Sequence, residues 1–446
     1  MIRRLTVAST LALASLGMLM LAPGCASKPA TPTPPPIIVP RPTVAKPTPE
    51  IFSSVMLGID VLEADGFKAI AGKKIGLLTH RAGVNRRGET TIDVLRRAPQ
   101  SKLVALFAPE HGLDGEVKAA TNYDDSRHLP TGLPIYSLYG KTKKPTPAML
   151  KGLDAMVIDL QDIGVRSYTF ISWMRYTMEA CFENRVEVIV LDRPNPLGGF
   201  KVDGPPLDAK WMSDVGAFRV PYVHGLTMGE LATMAKQAPR VLDVAEKIRA
   251  KGKLTVIPMR GWSRAMRWPE TGLKWVATSP LITSYDAAIG YAMVGLGCQN
   301  SGWNWGIGQD YPFRGIGYPK KKPEEIISAL EACNIAGIRL VKRDGRDREG
   351  KIIPGVYVEV TDWDKLNPTE ISFYMHKQAE KWEKQKVFAK LTAAEQRTFL
   401  IHVGSTAWYD ALKRNGMRVD VAAYIKKWQE SAALFKQQSR KYWLYQ

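Results

Sequence analysis

The stretch 103-LVALFAPEHG-112 decides how this chain folds. From Leu103 to Ala108 it carries no charge, and then Pro109, Glu110, His111 and Gly112 follow at once. A strand without a polar face is buried on both faces, as in parallel sheets covered by helices. Three other runs have the same form: 74-KIGLLTH-80, 155-AMVIDLQD-162 and 186-VEVIVLDRPNP-196. Helical periodicity lies between or after them, in 90-TTIDVLRRA-98, 146-TPAMLKGL-153 and 172-SWMRYTMEACFEN-184. The alternation implies an α/β fold: a Rossmann-like parallel sheet with helices on both faces, spanning residues 55–240. It carries no GxGxxG, so no dinucleotide is expected with it.

Residues 241–446 read as a smaller C-terminal α+β domain. Helices are expected over 284–296, 369–384 and 420–437, and strands over 338–343 and 356–362. The length of 446 residues calls for more than one ordinary core. The formal charge of +19 favours anionic partners, yet the basic residues are scattered and 141-KTKK-144 and 320-KKK-322 read as solvated loops. Nucleic acid is therefore not an expected partner. The six histidines form no HxH or HxxxH pair, and Cys181, Cys298 and Cys333 have no metal-ligand spacing, so neither metal nor cofactor is expected.

The N-terminus has the form of an export signal. Arg3 and Arg4 precede an apolar run from Leu5 to Leu21, and 22-APGC-25 follows. It resembles a bacterial lipoprotein signal, which implies a leader at 1–24, lipidation at Cys25 and anchorage to a membrane. Residue 26 is Ala rather than Asp, which by resemblance to lipoprotein sorting points to the outer membrane of a cell envelope. Residues 25–50 hold nine prolines and read as a stiff tether.

In open α/β sheets, ligands bind beyond the carboxyl ends of the strands. Here those ends are polar: His80 and Arg81 after the first strand, Glu110 and His111 after the second, Gln161 and Asp162 after the third, and Asp192, Arg193 and Asn195 after the fourth. Arg166 and Tyr168 follow the third end closely. Together they outline a cleft with carboxylates for acid–base work and arginines suited to an anionic substrate. Each also has a purely structural reading: Asp192 can satisfy turn amides, and Asp159 can pair with an arginine. In 224-HGLTMGEL-231, Thr227 and Glu230 form a capping box, which leaves His224 free to face the cleft. Trp303 and Trp305 in 302-GWNWGIGQDYPF-313 suit sugar stacking or core packing equally.

These strings resemble one family, the exo-acting β-N-acetylmuramidases of bacterial peptidoglycan recycling. The resemblance rests on 109-PEHG-112, 159-DLQDIGVRSYTF-170, 192-DRPNPLGG-199, 203-DGPPLD-208 and 224-HGLTMGEL-231, with 131-TGLPIYSLYGKTKKPTPAML-150 and 435-FKQQSRKYWLY-445. It implies hydrolysis of terminal β-linked N-acetylmuramic acid from the non-reducing end of wall fragments. Peptidoglycan fragments or muropeptides are thus the implied partners. It also implies Glu110 as the acid and marks Tyr168; with the cleft read from the strand ends, Tyr168, Asp162 or His111 is expected to assist. Substrate binding falls to His80, Arg81, Gln161, Arg166, Asp192, Arg193, Asn195, His224 and Trp303. Two departures stand out: His80-Arg81 where relatives usually have Asn-Gln, and 301-SGWNWGIGQD-310, which lacks the glutamate and arginine of the corresponding loop. The second motivates an alternative, a non-catalytic wall-sugar binding protein on the same scaffold.

Overall fold

The computed structural model describes residues 53–307, 310–347, 349–383 and 387–446. The expected leader, Cys25 and the tether through residue 50 lie outside the described residues, as do Gly308 and Gln309 of the 301–310 loop.

A seven-stranded sheet forms the centre. Its strands are β1 (Lys74–Thr79), β2 (Lys102–Ala108), β3 (Ser126–Arg127), β4 (Pro134–Ser137), β5 (Ala155–Asp159), β6 (Glu187–Leu191) and, after the separate pair β7 (Asp203–Pro206) and β8 (Pro221–Val223), β9 (Leu254–Ile257). The spatial order is β3-β4-β2-β1-β5-β6-β9. Only the short edge strand β3 runs antiparallel. The parallel strands thus lie third, second, first, fourth, fifth, sixth in chain order. This doubly wound order reverses between β1 and β5, and that point is where such sheets open a crevice.

Side chains alternate between two cores because successive residues of a strand face opposite ways. In β6, Val188 and Val190 enter one core, while Ile189 and Leu191 enter the other. β5 divides likewise, Met156 and Ile158 against Ala155 and Val157. The helices α1 (Gly58–Ala64) and α2 (Thr91–Arg96) cover one face. After the single turn α3 (Pro147–Leu150), α4 (Phe170–Glu183) and α5 (Met228–Gln237) cover the other. Thr227 and Glu230 form the capping box expected at the start of α5.

The sheet extends past residue 240, because β9 pairs with β6. The later part contains a three-stranded antiparallel sheet of Gly315–Ile316, Val356–Val360 and Ile338–Lys342. Its helices include Tyr285–Val294, Glu370–Trp382, Ala393–Val403, Thr406–Asn415 and Val421–Ser439. One apolar cluster joins the two parts, holding Phe170 and Tyr222 together with Met293, Met375 and Trp408. The chain end returns to the main sheet, where the Leu444 amide donates to Glu230 at 2.9 Å and the Tyr445 hydroxyl donates to Asp192 at 2.6 Å.

Candidate active site

β2 ends at Ala108, and Glu110 follows within a tight turn. His111 and Gly112 both take left-handed backbone, with φ of 73° and 77°. For a histidine this conformation is strained and persists only when the surroundings enforce it. Here they do: His111 Nδ1 bonds the Val117 carbonyl at 2.7 Å, and the Val117 amide donates back to the His111 carbonyl at 3.1 Å. The loop so closed delivers the Ala120 amide to Glu110 Oε1 at 3.1 Å. Thr169, at the start of α4, donates its hydroxyl to Oε2 at 2.8 Å. Each carboxylate oxygen therefore has one fixed donor and keeps a further lone pair for a ligand.

Glu110 faces a cavity of about 320 Å3. The first part supplies His111, Ala120, Tyr139, Tyr168, Thr169 and Asp214 to its wall. The later part closes it with Leu281, Tyr291, Phe313 and His402. Tyr168 donates to Thr278 Oγ1 at 2.8 Å, and burial pushes its phenol far above the ordinary range. It enters any chemistry as a neutral hydroxyl. Burial, followed by the charge of Glu110, raises the Tyr139 phenol in the same direction. Burial also lowers His402, whose Nδ1 bonds the Thr398 carbonyl at 2.7 Å, so this imidazole is disposed to stay neutral. A larger groove of about 970 Å3, lined by Phe200, Trp363 and Lys436, shares no residue with this cavity.

Of the residues expected at the site, Glu110, His111 and Tyr168 meet in the cavity, and the others do not line it. Arg193 forms a two-pronged pair with Asp159, at 2.5 and 2.8 Å, and donates to the Val84 carbonyl at 2.7 Å. Arg166 is fully buried and directs its terminal nitrogens to the carbonyls of Pro205, Val220, His402 and Val403 at 2.7–3.1 Å. Burial lowers its guanidinium to about 10. Both arginines fasten the fold: Arg166 ties four backbone carbonyls together, and Arg193 joins Asp159 to the Val84 carbonyl. Arg81 is exposed and lines a separate cavity of about 320 Å3 with His80, Asp114 and His128.

The remaining strand-end residues hold one another. His80 Nε2 accepts the Gln161 amide at 3.0 Å, and burial, then Arg193 and His111, keep this imidazole neutral. Gln161 donates to the Pro194 carbonyl at 3.0 Å. Asp162 accepts the Gly164 amide at 2.8 Å and stands 3.4 Å from His224 Nε2. Asn195 accepts the Leu197 amide at 3.0 Å and packs against Gly164, whose φ of 83° brings the backbone too close for any Cβ. Trp303 donates to the Met375 carbonyl at 2.8 Å and packs on Tyr318 and Trp382, so it belongs to a core. In the same loop, Trp305 stacks on Phe313 at 4.6 Å, and Phe313 lines the cavity.

Asp192 is fully buried and accepts from Thr227 Oγ1 at 2.7 Å, the Gly229 amide at 2.7 Å and Tyr445 at 2.6 Å. It caps α5 and ties down the chain end. Burial outweighs these donors and raises its carboxyl to about 6. The folded state thus binds this proton more tightly than the unfolded chain, so the contribution of Asp192 to stability grows as pH falls through about 6. Between pH 7 and pH 4.5 the wild type should gain about 2 kcal/mol relative to Asp192→Asn. Urea denaturation of both proteins at the two pH values measures this, and a constant difference would refute it.

Thr169 and Tyr139 lie inside motif strings, but nothing in the local pattern marks them as site residues. Asp214, Tyr291 and His402 carry no sequence signal, because they reach the cavity from segments distant in the chain.

Comparisons with known proteins agree with this architecture. The family description "Exo-beta-N-acetylmuramidase NamZ, N-terminal" matches residues 75–286, and its C-terminal counterpart matches residues 289–445. A peptidoglycan β-N-acetylmuramidase NamZ of Bacillus subtilis is 39% identical over 316 residues, covering 70% of this chain and 74% of the relative. A crystal structure of a DUF1343 family protein from Bacteroides fragilis superposes with a TM-score of 0.79 at 36% identity, over 88% of this chain and 99% of the other. A second protein of that family and organism gives 0.65 at 25% identity, with the same coverage. With both parts of the family description matched in order, and together covering most of its length, this chain belongs to the exo-β-N-acetylmuramidase NamZ family.

Proposed function

We propose that the protein is an exo-acting glycoside hydrolase that releases terminal β-linked N-acetylmuramic acid from the non-reducing end of peptidoglycan fragments. The observation that carries this reading is Glu110, held by two donors in a cavity that both parts of a NamZ-family chain close. The cavity is at the small end of ligand sites, which span roughly 300–1,000 Å3. That suits one terminal sugar better than a polymer threaded through. Glu110 would protonate the departing glycosidic oxygen as its bond to the anomeric carbon breaks, while water adds to that carbon and the proton it releases restores the acid. The left-handed turn at His111 and the Thr169 hydroxyl fix its direction. Tyr168 and Tyr291, which line the cavity, would wall the sugar. The test is release of chromophore from a chromogenic β-N-acetylmuraminide by the purified protein, with free N-acetylmuramic acid identified by mass spectrometry. No release, or attack within a glycan chain, would refute the reading.

We infer export and lipidation at Cys25, with the enzyme held in the cell envelope, at the outer membrane where the cell has one; Arg3, Arg4, the apolar run and 22-APGC-25 support this reading. Cys25→Ala should abolish incorporation of labelled fatty acid and leave the protein in the soluble fraction. Labelling that persists would remove Cys25 as the anchor.

A further inference from the structure

N-acetylmuramic acid differs from N-acetylglucosamine by a lactyl ether whose carboxylate is ionised at neutral pH. A site selective for it needs a cation near the sugar. The three arginines expected there are engaged elsewhere: Arg166 on four carbonyls, Arg193 on Asp159, and Arg81 at a separate cavity.

Lys143 does not itself line the Glu110 cavity but is held against two residues that do. Its ammonium pairs with Asp214 and lies 5.7 Å from the centroid of the Tyr139 ring. Asp214 and Tyr139 both line the cavity. The neighbouring backbone is anchored. Thr142 donates its hydroxyl to the Lys144 carbonyl at 2.6 Å, and Lys144 pairs with Glu183 of α4 at 2.9 Å. The tip of Lys143 is less confined, since its side chain is 48% exposed against 28% for Asp214. An exposed pair of this kind opens at little cost. An ammonium also has three donors, so it can keep Asp214 and accept a second carboxylate.

The chemistry of the sugar sets a further condition. The lactyl group is on C3, two ring atoms from the anomeric carbon that Glu110 must serve, so acid and cation must flank one cavity. Tyr139 meets both: its ring lies under Lys143, and it lines the same cavity as Glu110.

Resting on the glycosidase reading above, we propose that Lys143 determines specificity at this site: its ammonium, steered by Asp214 and Tyr139, receives the lactyl carboxylate of the terminal muramic acid.

The test compares wild type, Lys143→Met, Lys143→Arg and Lys118→Met. Lys118 is an exposed lysine beside the cavity residue Ala119 and serves as the control. The measurements are kcat and KM on a chromogenic muraminide, and inhibition constants for free N-acetylmuramic acid and free N-acetylglucosamine. Lys143→Met should raise KM and the N-acetylmuramic acid constant by about 10–100-fold, the range for losing one charge-assisted bond. The N-acetylglucosamine constant and kcat should stay within about 2-fold, Lys143→Arg should recover most of the loss, and Lys118→Met should match wild type. The assignment is overturned by equal weakening of both sugars, by no change, or by a loss carried by Lys118→Met. A wild type that releases no chromophore and binds neither sugar would overturn the glycosidase reading and this assignment with it.

Discussion

Glu110→Gln should reduce kcat on a chromogenic muraminide by about 10^3-fold or more, within the range that positioned acid–base groups contribute. The fold should be unaffected. Glutamine keeps one oxygen to accept the Ala120 amide, and its amide nitrogen can donate to the Thr169 hydroxyl, which is free to turn and accept. The thermal midpoint should therefore stay close to wild type while turnover collapses. KM should change little, because the carboxylate acts on the departing oxygen rather than holding the sugar. A variant that turns over at the wild-type rate would remove Glu110 from the chemistry, whatever the family resemblance implies.

Arg193→Met should act the opposite way. Asp159 and Arg193 are nearly inaccessible to solvent and form one buried ion pair. Removing the guanidinium leaves a fully buried carboxylate with the Thr91 hydroxyl as its remaining side-chain donor among the described residues, and breaking such a pair costs about 3–5 kcal/mol. It also frees the Val84 carbonyl, loosening the loop between β1 and α2. Urea denaturation should show this loss, while KM for the molecules that remain folded stays near wild type. Were Arg193 a substrate ligand, as its position at a strand end suggests, KM would rise without a change in stability. One pair of measurements separates the two roles.

The opposite characters of Glu110 and Arg193 show where sequence reading stops. Both stand just beyond the carboxyl end of a parallel strand, and both are polar after an apolar run. The rule that ligands bind at such ends applies to the edge as a whole, not to every side chain on it. Several residues there are needed to close the edge itself. Arg193 crosses to Asp159, Asp192 caps α5, Asn195 packs against the Gly164 turn, and His80 receives the Gln161 amide. Any polar group buried at that edge must find a partner, and neighbouring strand ends are the nearest source. Trp303 follows the same logic in the later part, where its indole finds the Met375 carbonyl and an aromatic cluster instead of solvent.

The sequence by itself determined the α/β architecture, because burial on both faces leaves an unmistakable apolar run and the helices between show their own period. The four expected parallel strands and the three helices among them appear within a few residues of their predicted bounds. β4 and β9 gave weaker signals, since a short or half-exposed outer strand lacks that continuous apolar pattern. The position of Glu110 at a strand end was also legible. Only the tertiary structure decided which polar residues share its cavity. Asp214, Tyr291 and His402 arrive from segments far along the chain, and the arginines turn away to satisfy buried carbonyls and a buried carboxylate. Local pattern records how each strand is buried, whereas the pairing of charges at the strand ends depends on which distant segments the fold brings within hydrogen-bond reach.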